Sequence, residues 1–189
     1  MPPTTKLPQL RPATEADWAA VPAPYTAHLI DGELHAMGRP RARHAVALSG
    51  LISTFTGPFQ RGLGGPGGWW LLPEVDVRVR RDIVAPDLAG WRRERMPDVP
   101  DETPILLAPD WVCEVLSPGT ETFDRGVKAT WYASVGVGWL WFVDPEAKTL
   151  EIYANDAGAW RPAGTWQGEA GVNAPPFDAL PWSLTALWG

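Results

Sequence analysis

The 189-residue sequence predicts an α/β domain of the α+β kind, on three observations. Asp31-Gly32 stands between two short apolar runs within residues 27–37, the strongest local signal for a hairpin with a two-residue turn. Between Arg41 and Phe55, apolar residues at Ala45, Leu48, Leu51, Ile52 and Phe55 recur at three- and four-residue spacing, the pattern of a helix with one buried stripe. From Trp69 onward the chain is a series of strand-like runs broken by turn residues, with a further helical stretch after Ser117-Pro118-Gly119.

In chain order, residues 1–12 are rich in Pro and polar groups and read as a flexible tail, leaving 13–189 as a single domain. Thr14 is the cap candidate of a short helix ending at Pro22. The helix from Arg41 is expected to stop at Gly57-Pro58. Residues 61–68 hold five glycines in eight and read as a flexible loop; they lack the flanking pattern and the Lys-Ser/Thr of a phosphate loop. Trp69–Leu72 is apolar, and Val75, Val77 and Val79 alternate with Asp76, Arg78 and Arg80 as a half-buried strand. Ile83–Trp91 reads as one strand interrupted by Pro86, which belongs at an edge or bulge near its start. After a charged connection over 92–109, Trp111–Leu116 is a buried strand, and Thr120 or Thr122 caps a helix to about Val135. Residues 137–143, 150–154 and 159–166 are strands, and Leu184–Trp188 is a short docking helix.

Composition narrows the class. With 45% hydrophobic residues the chain can bury one ordinary core and is too short for two. A lone cysteine, Cys113, excludes an intrachain disulfide, and three His with one Cys exclude a zinc cluster of the Cys/His type. No apolar run has the length of a signal peptide core or a membrane span, so the expected location is the cytoplasm. The net charge of −6 and pI near 5.0 speak against nonspecific nucleic-acid affinity. The charge is uneven: residues 1–95 carry 12 Lys/Arg against 9 Asp/Glu, and residues 96–189 carry 4 against 13. Arginines cluster at 39–43, 78–81 and 92–95, which could form a local phosphate-binding face or simply a solvated surface. Of twelve tryptophans most lie in apolar patterns; Trp69-Trp70, Trp91 and Trp160 are the candidates for surface platforms, and a carbohydrate-binding role would leave Glu114 unexplained.

The chemistry concentrates in Ala85-Pro86-Asp87, Val112–Pro118 and Asp124–Lys128. In the strand Trp111–Leu116, Glu114 shares a face with Val112 and Leu116 while Cys113 points the other way. A carboxylate in such a strand is costly unless it is paired or bound to metal. On the next helix Asp124 and Lys128 stack at a four-residue interval, and a helix returning after a short turn could aim Lys128 at Glu114. Two carboxylates and a lysine suit a hard cation, an activated water and a developing phosphorane, the needs of phosphodiester hydrolysis. Taken singly each residue has a plainer reading: Asp87 as a turn cap, Glu114 as a buried ion pair, Lys128 as a surface partner of Asp124.

Together with Ile30-Asp31-Gly32-Glu33-Leu34, His44, Tyr132-Ala133, Gly136-Val137 and Trp141–Pro145, these runs make the chain resemble, collinearly from Tyr25 to Tyr153, the Uma family of putative restriction endonucleases. The resemblance implies a PD-(D/E)XK nuclease fold: a restriction-endonuclease-like mixed central sheet flanked by helices, with the site at one end of two adjacent strands. It further implies Asp87 and Glu114 as ligands of Mg²⁺ or Mn²⁺, joined by the Val115 backbone carbonyl, and Lys128 as the catalytic lysine in place of one two residues after the acid, where this chain has Leu116. Glu33 matches a further acid at lower weight; His28 stands where the family commonly has a glutamate, and Gly119-Thr120 replaces a Ser-Thr. The implied activity is metal-dependent endonucleolytic hydrolysis of nucleic acid, DNA foremost, by a homodimer. Alanine at Asp87, Glu114 or Lys128 is expected to abolish cleavage with the fold intact. The alternative is a catalytically silent binding or scaffold protein on the same fold.

Overall fold

The computed structural model describes residues 11–38 and 41–189, together with the backbone of Thr5–Lys6. The strands form two main sheets. The first has the order β1-β3-β2-β6-β5, all antiparallel, from β1 (Thr5–Lys6), β2 (Thr26–Ile30), β3 (Glu33–Met37), β5 (Val77–Val79) and β6 (Asp82–Val84). The second has the order β11-β10-β9-β8-β7-β4, from β4 (Trp69–Pro73), β7 (Leu88–Arg92), β8 (Trp111–Val115), β9 (Trp139–Asp144), β10 (Thr149–Asp156) and β11 (Ala159–Gln167). Only β8 and β9 run parallel there, so this larger sheet is mixed, as expected. A two-stranded ribbon, β12 (Gly171–Val172) with β13 (Trp182–Ser183), completes the strands.

Alternation along the central strands builds two cores. Trp111, Cys113 and Val115 of β8 and Trp141 and Val143 of β9 face α2 (Ala42–Phe55), whose Ala47, Leu48, Leu51 and Phe55 cover them around Phe177. Val112, Leu116, Leu140 and Phe142 face the opposite way, toward Trp131 and Tyr132 of the second helical segment and Ile30, Val77 and Val84 of the first sheet. The mixed sheet is therefore flanked by helices on both sides. At the crossing of α2 with the C-terminal 3₁₀ helix (Leu184–Leu187), a Cβ on Gly50 would lie 2.2 Å from the Ala186 carbonyl oxygen. Gly50→Ala should thus lower the urea midpoint, by about 1–3 kcal/mol of overpacking; an unchanged midpoint would show that the two helices can separate freely.

Several elements match their sequence signals. α1 (Glu15–Ala19) begins at Thr14, which forms a reciprocal capping box with Asp17. Asp31 and Gly32 both take positive φ, 51° and 74°, as the hairpin turn requires. Other expectations are corrected. Ala45 is exposed, and the buried stripe of α2 starts instead at His44. The helix does not stop at Gly57-Pro58 but passes through a π turn, Thr56–Gln60. Of the run Val75–Val79, only Val77–Val79 is strand. Ile83–Trp91 is two strands in different sheets, because the chain changes sheet at Ala85-Pro86-Asp87. Trp69 and Trp91 are buried, which removes them as surface platforms; Trp70 and Trp160 are half-buried, donating to the Met96 and Ala129 carbonyls. The arginine clusters disperse: Arg78 pairs with Glu15, Arg95 with Asp110 and Arg43 with Glu146, while Arg92 and Arg93 lie over Trp69 and Trp70. Arg39 and most of the predicted tail lie outside the described residues, although Thr5–Lys6 pairs with β3. Among the described residues no helix is long and apolar enough to cross a membrane.

Candidate active site

The corner between the sheets creates the site. Pro86 cannot donate to a ladder, and the pairing of β7 with β8 begins only at Leu88 opposite Cys113, so the β8 edge beside Val115 is left to Asp87. The Asp87 Oδ2 accepts from the Val115 N–H at 2.7 Å and from His44 Nε2 at 3.0 Å. In a strand the N–H and C=O of one residue point to the same side, which puts the Val115 carbonyl on the same edge.

Glu114 is fully buried on the face shared with Val112 and Leu116. Its Oε2 accepts from Lys128 Nζ at 2.6 Å and its Oε1 from the Tyr132 hydroxyl. Lys128 also donates to the Ala85 carbonyl at 3.3 Å and lies 3.4 Å from Asp124 Oδ1. The helix that brings these groups together runs from α3 (Glu121–Phe123) through a π turn (Asp124–Lys128) into α4 (Ala129–Ser134). The π turn coincides with the Asp-Arg-Gly-Val-Lys run, a placement typical of functional sites. It is braced from outside by Arg125, which pairs with Glu121 at 2.9 Å and bidentately with Glu151.

Burial and charge act against each other here. Burial drives the Glu114 pKa well above the ordinary range; Lys128 opposes this, while Asp87 and Asp124 add to it. Asp124 is likewise raised, by burial against the pull of Lys128. Burial alone would lower the Lys128 pKa, but the charges of Glu114, Asp124 and Asp87 outweigh it and hold the ammonium protonated. For Asp87, burial is outweighed by the His44 hydrogen bond, the His44 and Lys128 charges and the Val115 N–H, and its pKa falls. His44 is correspondingly raised: its hydrogen bond and charge interaction with Asp87 exceed the effect of burial. Three carboxylates thus share one ammonium in a poorly solvated space, an arrangement that a divalent cation would relieve.

Asp87, Glu114, Asp124 and Lys128 line a cavity of about 490 Å³, with His28 and His44 at its side. Glu33 is not among its lining residues; its carboxylate lies 3.8 Å from His35 Nε2 and is 46% exposed. His28 accepts the Ala85 N–H at 3.2 Å and so steadies the approach to Asp87. Among the described residues no three His, Cys, Asp or Glu side chains converge as a ready ligand cluster. The donor chemistry nevertheless suits a hard cation: two carboxylates and one backbone carbonyl, with Asp87 21% exposed toward the cavity.

His44 and Tyr132 join the site without a role expected from the sequence, although signals for both exist. His44 is the polar member of the buried stripe His44-Leu48-Leu51-Phe55. Tyr132 continues the interval Asp124-Lys128-Tyr132. In the nuclease reading proposed below, Tyr132→Phe should lower cation affinity and cleavage by about 10- to 100-fold, the usual scale for a group that orients a ligand. The readout is Mn²⁺ titration beside the denaturation midpoint; an unaltered Mn²⁺ affinity would reduce Tyr132 to core packing.

Comparison with known proteins agrees with this architecture. The crystal structure of a putative nuclease belonging to DUF820 from Anabaena variabilis ATCC 29413 is similar in fold, with a TM-score of 0.75 at 20% identity, covering 94% of this chain and 98% of that one. No curated protein matches the chain. The Uma2 family, described as "Putative restriction endonuclease", matches residues 16–186, nearly the whole chain, and the protein is therefore a member of that family.

Proposed function

We propose that the protein is a divalent-cation-dependent endonuclease that hydrolyses phosphodiester bonds, with DNA as substrate and Asp87, Glu114 and Lys128 as its working residues. The observation that carries this reading is the buried Lys128–Glu114 pair opening, beside Asp87, onto a cavity large enough for a nucleotide segment. Mg²⁺ or Mn²⁺, held by Asp87, Glu114 and the Val115 carbonyl, would supply Lewis acidity and a water that is nucleophilic at neutral pH. The remaining work falls to the chain itself. Lys128, kept protonated by its carboxylate neighbours, offers positive charge to the phosphate oxygens as negative charge develops there. Tyr132 fixes the orientation of Glu114, and His44 with the Val115 N–H fixes that of Asp87. The cytoplasm and a homodimeric state complete the proposal, the latter testable by sedimentation.

A second reading, a silent binding or scaffold protein, is favoured by one observation: both oxygens of Glu114 already accept from protein donors. Calorimetric titration of Mn²⁺ into wild type and Asp87→Ala, with folding followed by circular dichroism, separates the two. Binding by wild type alone, with EDTA-sensitive cleavage of DNA, supports the nuclease; absence of both supports the scaffold.

A further inference from the structure

The cavity is chemically divided. Its polar lining holds Lys128 beside Glu114 and Asp124, with Asp87, Glu74 and Asp76. Its apolar lining comprises Trp18, Val21, Tyr25 and Met37, contributed by α1, the segment after it and the hairpin. Trp18 is held in place by its Nε1 donating to the Ala27 carbonyl at 3.0 Å. Tyr25, by contrast, lines the cavity and is 50% exposed.

Phosphodiester hydrolysis accounts for the polar lining only, since a phosphate does not need an apolar one. Resting on the nuclease reading, we propose that the apolar lining receives an unpaired base of the substrate strand, stacked against Tyr25, so that the nucleotide cut is single-stranded or extruded from a duplex. Two features favour this occupant. The apolar residues line the same space of about 490 Å³ as Lys128 and Asp87, so a base and its own phosphate can occupy it together. The described lining residues also carry five carboxylates against the single lysine. The dense phosphates of a duplex are repelled by such a lining, whereas one splayed nucleotide presents a single phosphate and a neutral base. Base stacking on an exposed aromatic ring is tolerant of sequence, so the site would select unpaired structure rather than a base sequence.

The test uses the full chain with Mn²⁺ and a labelled oligonucleotide, offered as a single strand, as a perfect duplex, and as a single strand with an abasic position at the cut site. Anisotropy and cleavage are read together for wild type and Tyr25→Ala, an exposed substitution. The expected result is at least about tenfold preference for the intact single strand over the other two, reduced about tenfold by Tyr25→Ala. Equal cleavage of duplex and single strand, or a Tyr25→Ala variant indistinguishable from wild type, overturns the base site and leaves the nuclease reading standing. Tyr25-dependent binding of the single strand without cleavage keeps the base site and overturns hydrolysis. Neither binding nor cleavage of any oligonucleotide overturns both.

Discussion

Lys128→Ala is expected to destabilise the protein by about 3–5 kcal/mol, enough to unfold much of a domain of ordinary stability. Lys128 and Glu114 are 3% and 0% exposed, and the ammonium answers Glu114 at 2.6 Å and Asp124 at 3.4 Å. Removing it leaves two buried carboxylates facing each other without a counter-charge. The expectation that alanine at this position spares the fold is therefore replaced by its opposite; Glu114→Ala should cost less, because the ammonium keeps Asp124 and the Ala85 carbonyl. Denaturant midpoints of Lys128→Met, Glu114→Gln and the double variant Glu114→Gln/Lys128→Met measure the pair, beside Lys128→Ala. The double variant removes the charge of Glu114 and leaves only buried Asp124 without its counter-charge, so it should recover part of the loss. Additive losses in the double variant would mean that the two side chains do not act as a unit.

Asp87→Asn should leave the fold largely in place while reducing cleavage at least about a hundredfold, the scale seen when one preorganised electrostatic group is removed. The difference from Lys128 follows from position: Asp87 is 21% exposed at a strand corner, and asparagine can still accept one of the two hydrogen bonds from Val115 and His44. What it cannot keep is the charge. Without that charge burial at His44 is opposed less, by Glu74 and Asp124, so its pKa should fall from the raised wild-type position, a change visible by NMR titration. In parallel, the melting temperature of wild type should rise with added Mn²⁺ by mass action, and that of Asp87→Asn should not. A variant that binds Mn²⁺ and cuts as well as wild type would remove Asp87 from the proposed site.

How much of this was legible beforehand differs by element. The hairpin, α1 and the face assignment of Glu114 rest on local rules. A two-residue turn needs positive φ, a capping box needs four residues, and a strand alternates every second residue. Asp31-Gly32, Thr14–Asp17 and Val112-Glu114-Leu116 satisfy those rules within a few positions, so the sequence alone determined them. The family resemblance likewise pointed to the mixed sheet between helices, to which no local pattern refers.

Only the tertiary structure decided the rest. Nothing in Ile83–Trp91 says that its two halves belong to different sheets, because a proline permits a corner and an edge alike; the corner is chosen by packing on β2 at one end and β8 at the other. Trp69 and Trp91 are buried because distant segments cover them: Phe177 packs on Trp69, and Trp91 lies among Met96 and Ile105 with its Nε1 donating to the Leu107 carbonyl. Tyr132 meets Glu114, and His44 meets Asp87, across separations of 18 and 43 positions, and each contact depends on a helix docking against the far face of a strand. Local pattern determines which side a residue points to. What it points at is settled by long-range packing, where burial sets the cost of each charge and selects the partner that meets it.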